Sequence, residues 1–198
     1  MTRATSLLLF LALITYYQTN ALVDPDVKLL VKIMSGLFST SNDARKEKYT
    51  VIEVPGLMAQ AGIYYRSYDK YGYKKDIFFL AVSQTNGVIS LTYHNITRTF
   101  SDNVDFPSIG LSELTEFPWC VSSLSKSQVS GKTQFVGTRP ACSRAVSTPP
   151  SVNYTVVLTC TDEVLGQGTE ITTLTKSSSY LIPDALEPDP VVYSTTCS

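Results

Sequence analysis

The chain has 198 residues, of which 43% are hydrophobic and 17% charged, and its formal net charge is −1 at pH 7. Binding to a nucleic acid requires a net basic face, so this composition argues against such a partner. We predict that its two short basic clusters, Arg45–Lys48 and Lys74–Lys75, are solvated loops. The length predicts a single domain with one core.

The N-terminus has the pattern of a secretory signal peptide. Arg3 precedes an apolar stretch from Leu7 to Ile14, and polar residues then lead to the small residue Ala21. A membrane-spanning helix needs about 20 apolar residues, and this stretch is shorter. We therefore predict cleavage after residue 21 and a secreted, extracellular chain without a membrane span.

Four cysteines in a chain that passes through an oxidising compartment predict two disulfides. The spacing leaves all three pairings open for Cys120, Cys142, Cys160 and Cys197. No spacing typical of a zinc site is present, so no metal is expected. Two Asn-X-Thr sequons, at Asn95 and Asn153, predict N-glycosylation.

The first predicted element is a short amphipathic helix after the signal. Asp24 suits its N-cap and Pro25 its first helical position. Apolar residues recur at helical spacing from Val27 to Met34, and Gly36 predicts the end. We expect the apolar face of this helix to cover one end of a sheet or barrel.

From Tyr49 onward the pattern changes to an alternation of apolar and polar residues, which predicts β-strands. Strands are predicted at Val51–Val54, Leu57–Tyr68, Ile77–Gln84, Val88–Asn95, Thr133–Thr138, Val152–Cys160 and Thr169–Thr175. This series predicts an all-β fold, an antiparallel up-and-down barrel with one N-terminal helix, and a β-sandwich is the alternative. The barrel is predicted to span 22–182, and 183–198 an irregular tail held by Cys197.

The clearest predicted unit is a hairpin around Asn86-Gly87, a preferred two-residue turn. Its register places six apolar residues on one face, expected to be core: Phe78, Leu80, Val82, Ile89, Leu91 and Tyr93. The same register turns Asn95 to the core, which is incompatible with a glycan. Either a bulge follows Tyr93, the strand ends before Asn95, or the sequon is unused. Asn153 lies opposite the apolar face of its own strand.

No residue is predicted to be catalytic. His94 is the only histidine and the first candidate for acid–base chemistry, but it lies on the presumed outer face beside a sequon. The sequence has no GxSxG nucleophile motif. Oxidised cysteines would leave no thiolate.

Aromatic residues are the candidates for ligand contact. Five tyrosines lie between positions 64 and 73, and such rings can hold a planar conjugated ligand. Alternation places Tyr64 and Tyr68 on one face and Tyr65 on the other, so only some can line a pocket, and packing within strands explains most. Trp119 precedes Cys120, a position typical of a core plug against a disulfide, with ligand binding as the alternative.

Several segments occur in an order that is similar to one protein family. They are Ser35–Ser41 (the family's Gly-x-Phe-Ser-Ser), Gln60-Ala61 (Glu-Gln-Ala), Tyr73–Phe78 (Pro-Tyr-Arg-Gln-Arg-Val), Leu111–Leu114 before Cys120, and Phe135–Thr138 before Cys142 (Cys…Phe-x-Gly-x-Thr…Cys). Over roughly residues 27–175 the chain resembles the CpcT/CpeT-type chromophore lyases, or phycobilin lyases. It departs from them where Lys74 and Asp76 replace paired arginines and Ala59 replaces a glutamate.

The resemblance implies a lipocalin-like antiparallel barrel that holds an open-chain tetrapyrrole and attaches it to a cysteine of a phycobiliprotein. It also implies that Cys120 pairs with Cys142, which leaves Cys160 for Cys197. The residues expected to contact a ligand are Gln60, Tyr64, Tyr68, Tyr73, Lys74 and Trp119.

A signal peptide separates the chain from the phycobilisome subunits on which such lyases act. We therefore expect a secreted barrel that binds a bilin or similar hydrophobic ligand without turning it over, and that requires no cofactor. One alternative is a chromophore lyase acting on an extracellular acceptor. The other is a structural matrix glycoprotein whose barrel is filled by its own side chains.

Overall fold

The computed structural model describes residues 23–98, 105–142 and 152–197, so the predicted signal peptide lies outside the described residues. Ten antiparallel strands form a closed barrel in which each strand pairs with the next along the chain and the last pairs with the first. The prediction of an all-β, up-and-down antiparallel barrel is confirmed, and the alternative of a sandwich is wrong.

The helices and strands, in chain order, are α1 (Pro25–Met34), β1 (Gly36–Ser39), β2 (Arg45–Val51), β3 (Ala61–Asp69), β4 (Lys74–Thr85), β5 (Val88–Ile96), β6 (Leu114–Val129), β7 (Lys132–Pro140), β8 (Asn153–Leu158), β9 (Asp162–Gln167), β10 (Glu170–Ser178) and α2 (Pro190–Cys197). The sequence patterns did not predict β1, β6 or β9, and the strand predicted at Val51–Val54 is wrong except for Val51, the last residue of β2. They also did not predict α2, which lies in the segment expected to be irregular.

Helix α1 covers one end of the barrel, as expected. The carboxylate of Asp24 accepts a hydrogen bond from the backbone N–H of Asp26 at 2.8 Å and so caps the first turn. The apolar face is buried and packs against β3 and β4. Gly36, predicted to stop the helix, is instead the first residue of β1, with φ at 149°. A Cβ at Gly36 would collide with the carbonyl oxygen of Ser178 across the β1–β10 pair.

The second helix lies at the same, closed end. Cys197 of α2 forms a disulfide with Cys160, which follows β8. Lys32 of α1 lies over the ring of Tyr193, 5.9 Å from its centroid. The C-terminal segment is therefore fastened to α1 and the barrel.

The predicted hairpin register is confirmed. Leu80 pairs with Tyr93 and Val82 with Leu91, and all six residues expected in the core are buried in the barrel interior. Asn86 and Gly87 have φ of 52° and 79°, as a type I′ turn requires.

A second apolar cluster lies on the outer surface of the barrel. It contains Ile52, Val54, Tyr64, Ile77, Phe79, Ala81, Ile96 and Ile109. Leu57 and Ala59, in the segment between β2 and β3, pack against it. Since Tyr65 belongs to the interior core, neighbouring tyrosines of β3 serve two separate cores.

The prediction that the basic clusters are solvated loops is wrong. Arg45–Lys48 is the first half of β2, and the side chain of Glu47 is fully buried. Lys74 and Lys75 begin β4. In β2 the alternation turns Arg45, Glu47 and Tyr49 inward, so the charges of this run are divided between the barrel interior and the surface.

Two disulfides are present, as predicted, and Cys120 is joined to Cys142. This is the pairing that the family resemblance implied. Cys120 is buried, but Trp119 is 37% exposed, so the expectation that it plugs the core is wrong. Phe117 takes that place and lies edge-on to Phe78, with 6.0 Å between ring centroids.

Candidate ligand pocket

The end of the barrel opposite α1 is open and contains a cavity of about 340 Å³. Five aromatic residues contribute to its lining: Tyr65, Tyr68, Phe78, Tyr93 and Tyr154. Arg45 and Arg139 also line it, and the carboxylates Asp69 and Asp76 lie among the lining residues near the β3–β4 turn. The pocket therefore combines apolar ring surface with charges of both signs.

These residues meet because of strand direction and alternation. Arg45 begins β2, while Tyr93 and Arg139 lie near the ends of β5 and β7, so antiparallel order brings all three to one end of the barrel. Each has the phase of the inward-facing residues on its strand. Tyr65 and Phe78 lie in register on β3 and β4.

Three of the aromatic residues, Tyr65, Phe78 and Tyr93, form a continuous wall. The rings of Tyr65 and Phe78 are nearly parallel, with an interplanar angle of 7° and centroids 6.2 Å apart. Phe78 meets Tyr93 edge to face at 5.4 Å. The guanidinium of Arg139 lies over the ring of Tyr65, 5.0 Å from its centroid. Such a wall suits a flat, conjugated ligand.

The floor of the pocket is a buried polar cluster centred on Arg139. Its Nη1 donates to Oε1 of Glu163 at 2.6 Å and to Oε2 of Glu47 at 3.0 Å. Its Nη2 donates to the hydroxyl of Tyr65 at 2.7 Å. Arg45 approaches Glu47 from the pocket side, with its Nη2 at 2.5 Å from Oε1. Two arginines and two glutamates are thus held inside the barrel.

The hydroxyl of Tyr49 lies between the two carboxylates. It is 2.6 Å from Oε2 of Glu47 and 2.9 Å from Oε2 of Glu163. A hydroxyl carries one hydrogen and can donate only one full hydrogen bond. When Tyr49 donates to Glu47, the contact with Glu163 becomes a good hydrogen bond only if Glu163 itself carries a proton.

The pKa values of the two glutamates shift in opposite directions, in agreement with a proton on Glu163. Burial favours a raised pKa for Glu47, but the charges of Arg139 and Arg45, with hydrogen bonds from Tyr49 and Arg139, outweigh it and lower the pKa to about 2. For Glu163, burial and the negative charge of Glu47 prevail over Arg139 and raise the pKa to about 7. The directions of the two shifts favour an ionised Glu47 and a protonated Glu163 in the same pair.

The remaining groups of the cluster keep one charge state near neutral pH. Burial is the main cause that raises the pKa of Tyr49 and Tyr65, so both phenols stay neutral. Burial works against the charge of Arg45 and Arg139, but Glu47 prevails and raises both pKa values above the usual range for arginine. Glu163 is thus the group of the floor whose pKa lies closest to neutral pH.

Below this floor the barrel is filled. A second cavity of about 20 Å³, roughly the space of one water molecule, lies on the closed side of the cluster. Its lining includes Met34 of α1, Leu80 and Leu158. The open pocket therefore ends at the polar cluster.

The structure brings few of the sequence-predicted contact residues to this pocket. Tyr68 is among the lining residues, whereas Tyr64 is buried in the outer cluster. Tyr73 is largely exposed, and Trp119 is not among the lining residues. Gln60 precedes β3 and lies toward the closed end.

Lys74, the remaining predicted contact residue, pairs with Tyr68 in the β3–β4 ladder near the pocket. Its side chain lies outside the described part of the chain.

Sequence reasoning missed the charged floor. A usable signal was present in the spacing, since Arg45 and Glu47 share the phase of Tyr49 on one strand. Arg139 likewise shares the phase of Phe135, and Glu163 that of Leu165. Charged residues in the apolar phase of a strand indicate buried ion pairs.

His94 lies away from the pocket on the outer face. Its ring is 6.0 Å from that of Phe79 in the outer cluster, and its Nδ1 is 3.1 Å from the carbonyl oxygen of Thr92.

The two sequons differ in exposure. Asn153 is exposed at the start of β8. The β5–β6 ladder shifts register between Thr92 and His94, so a bulge occurs close to the point where one was expected. Ile96 nevertheless packs in the outer cluster, so β5 keeps its alternation and Asn95 stays half-buried on the side of Tyr93.

Among the described residues, no group of three or more His, Cys, Asp or Glu side chains is arranged to hold a metal ion. None of the helices in the described ranges has both the length and the apolar character needed to cross a membrane. Comparison with models of known protein families and with curated proteins found no match to this chain.

Proposed function

We propose that the barrel binds a small hydrophobic ligand with conjugated rings and an acidic group, and that a bilin is the first candidate. The observation that carries this proposal is the open pocket, in which an aromatic wall stands beside the guanidinium groups of Arg45 and Arg139. Ring faces bind conjugated systems, and guanidinium groups bind carboxylates.

The size of the pocket limits how a ligand is held. Its volume of about 340 Å³ lies at the lower end of the usual range of about 300–1,000 Å³ for ligand sites. An open-chain tetrapyrrole would therefore insert one end and leave the other in the mouth of the barrel. Its propionate groups would lie near Arg45, whose side chain is 35% exposed.

Two carboxylates near the β3–β4 turn, Asp69 and Asp76, carry the same charge as an acidic ligand, and their surroundings differ. Oδ1 of Asp69 accepts hydrogen bonds from the backbone N–H groups of Tyr71 and Tyr73, both at 2.9 Å. This carboxylate holds the turn together. Oδ2 of Asp76 accepts a hydrogen bond from the hydroxyl of Ser67 at 3.4 Å. Of the two arginines that line the pocket, Arg45 is the more exposed, with 35% of its side chain accessible against 12% for Arg139.

Further support comes from the sequence. The order of motifs resembles the phycobilin lyases, and the N-terminal pattern of a signal peptide with two disulfides favours a secreted protein. The exposed position of Asn153 favours a glycan at that sequon. We include secretion and glycosylation at Asn153 in the proposal.

A structural glycoprotein without a ligand is the second candidate. The filled interior below the pocket floor favours it, since small barrels are commonly packed solid by side chains.

The test is a titration of the purified, disulfide-bonded chain with biliverdin, followed by visible absorption. We expect saturable binding with a shifted and sharpened band. Tyr154→Ala removes one aromatic ring from the pocket lining and is expected to weaken binding about tenfold, whereas Tyr71→Ala, at the same end but 72% exposed, leaves it unchanged.

A second pair of variants tests the contact with the acidic group. Arg45→Gln is expected to weaken binding about tenfold, because it removes the accessible guanidinium. Lys46→Gln changes the next residue of β2, which faces outward, and is expected to have no effect. Absence of saturable binding by biliverdin and by other conjugated carboxylates would contradict the proposal and favour the structural role.

A further inference from the structure

We propose that Glu163 is a protonation switch for the pocket, so that the barrel holds an anionic ligand when Glu163 carries a proton and releases it when the proton is lost. This inference rests on the proposed function and adds its regulation. It begins with the position of Tyr49, whose hydroxyl group lies between the two buried carboxyl groups and has one hydrogen to donate.

The hydrogen-bond partners of Glu47 and Glu163 indicate which of the two carboxyl groups carries a proton. The shorter contact of Tyr49 is with Glu47, at 2.6 Å, and Glu47 also receives Nη1 of Arg139 and faces Nη2 of Arg45. Glu47 therefore has donors for an ionised carboxylate. Glu163 has Arg139 at its Oε1, and its Oε2 lies 2.9 Å from the hydroxyl oxygen of Tyr49, its one hydrogen-bond contact among the described residues. With Tyr49 donating to Glu47, a proton on Oε2 of Glu163 completes the network. Its loss leaves two acceptor oxygens 2.9 Å apart, compensated by Nη1 of Arg139, which lies 3.1 Å from the hydroxyl of Tyr49.

The charged and titratable groups around Glu163 are Arg45, Glu47 and Tyr49 of β2, Tyr65 of β3, Tyr93 of β5 and Arg139 of β7. The facing residues of the strands beside β9 are Leu158 and Leu174, and Met34 lies below, all uncharged. With Glu163 protonated, two guanidinium groups face one carboxylate and the floor carries one positive charge. With Glu163 ionised, the floor is neutral.

The charge of the floor acts on a ligand in the pocket, because Arg45 and Arg139 line the pocket and the buried Glu47 and Glu163 lie behind these arginines. A bound anion therefore favours the protonated form of Glu163, and by reciprocity the protonated form favours the anion. The pKa of Glu163, raised by burial and by Glu47 to about 7, places the change near neutral pH. Such a barrel would bind its ligand in a mildly acidic compartment and release it in a mildly alkaline one.

The experiment uses two fluorescent probes with the same aromatic body, 1-anilinonaphthalene-8-sulfonate and the uncharged N-phenyl-1-naphthylamine. The sulfonate is ionised at every pH used, so its charge is constant. We expect its affinity to fall roughly tenfold between pH 6 and pH 8.5, since one proton is linked to binding. The affinity for the uncharged probe is expected to stay constant.

Glu163→Gln imitates the protonated carboxyl and is expected to hold the sulfonate with constant, high affinity over this range. Glu170→Gln, an exposed glutamate on β10, is the control and is expected to keep the pH dependence of the wild type. Calorimetry at pH 7 in buffers of different ionisation enthalpy measures proton uptake. Uptake is expected for the sulfonate with the wild type and absent with Glu163→Gln.

A readout without ligand completes the test. Carboxyl carbons of ¹³C-labelled glutamate are followed by NMR, and the signal missing in Glu163→Gln is assigned to Glu163. A titration of that signal in the neutral range supports the proposal, and a midpoint below pH 5 overturns it.

The outcomes separate the two proposals. Binding of both probes with no pH dependence overturns the switch and leaves the ligand-binding function standing. Failure of both probes to bind at any pH, together with failure of biliverdin, overturns the binding function and the switch with it.

Discussion

Nη1 of Arg139 lies 2.6 Å from Oε1 of Glu163, and this ion pair joins β7 to β9 inside the barrel. The same guanidinium reaches Glu47 on β2 at 3.0 Å. One arginine therefore connects three strands, and the two carboxylates depend on it for much of their compensating charge.

Replacing Arg139 by glutamine is expected to lower the free energy of unfolding by about 3–5 kcal/mol at pH 7, because the buried carboxylate of Glu47 loses one of its two arginines and the carboxyl group of Glu163 loses its arginine donor. Urea denaturation measures the loss. The control is Arg98→Gln, which breaks the ion pair of Arg98 with Glu113 at the surface and is expected to cost less than about 1 kcal/mol. A similar, small loss in both variants would contradict the stabilising role of the cluster.

Glu163 is expected to make the protein less stable as pH rises through neutrality. Its pKa in the folded state is raised to about 7 from a usual value of 4.5, so the folded chain binds more protons than the unfolded chain between these values. The contribution is complete below pH 4.5 and is lost as pH rises through 7. Denaturation of wild type and Glu163→Gln at several pH values measures the difference between them.

In that comparison, Glu47 does not obscure the result. Its folded-state pKa is lowered to about 2, so its contribution is present above pH 4.5 and is lost only as pH falls toward 2. If the difference in the free energy of unfolding between wild type and Glu163→Gln stays constant from pH 4.5 to 8, the assignment of the proton to Glu163 is wrong.

Gly137 permits the close approach of β7 to β6 two residues before Arg139. A Cβ at this position would collide with the backbone carbonyl of Ser123. Gly137→Ala is expected to lower the free energy of unfolding by about 2–4 kcal/mol, since backbone must move. At Gly166 a Cβ would have its nearest neighbour, Thr155, at 3.9 Å, so Gly166→Ala is the matched control in the same sheet. Equal stability of the two variants would be evidence against this account.

The disulfide between Cys160 and Cys197 closes a loop of 37 residues and holds α2. Its removal by the double substitution to serine is expected to cost about 2–4 kcal/mol. It should also open the C-terminal segment to proteases at native pH, while β10 remains protected. Limited proteolysis with mass spectrometry locates the first cleavage, and a first cleavage within the barrel strands would contradict this prediction.

The extent to which the sequence predicts this fold varies from strand to strand. The β4–β5 hairpin is predictable because the Asn86-Gly87 turn and the alternation of apolar residues agree. Strand β9 is not, because Glu163 and Gly166 are residue types that strands disfavour. Strand β6 carries Pro118 and a bulge, and much of it is exposed on both faces, so it lacks the alternating signal.

The pocket was less predictable than the fold. The tyrosine-rich segment does contribute to it, through Tyr65 and Tyr68, but the choice of face depends on a partner strand that the sequence did not identify. The charged floor joins β2, β7 and β9, and each of its members is polar in a phase that local patterns assign to the core. Only the tertiary arrangement shows that these charges compensate one another.

The pairing of β1 with β10 determines when the barrel can form. Ser177 donates to the carbonyl oxygen of Leu37, a contact between residues 140 positions apart. The sheet therefore stays open, with two unpaired edges, until β10 has been synthesised, and contacts of such long range slow folding. Glu47 and Glu163 lie on opposite sides of this seam, so the buried cluster comes together only in the step that closes it. Substitutions in the cluster should consequently act mainly on the rate of unfolding, and the nascent open sheet is the species most exposed to aggregation.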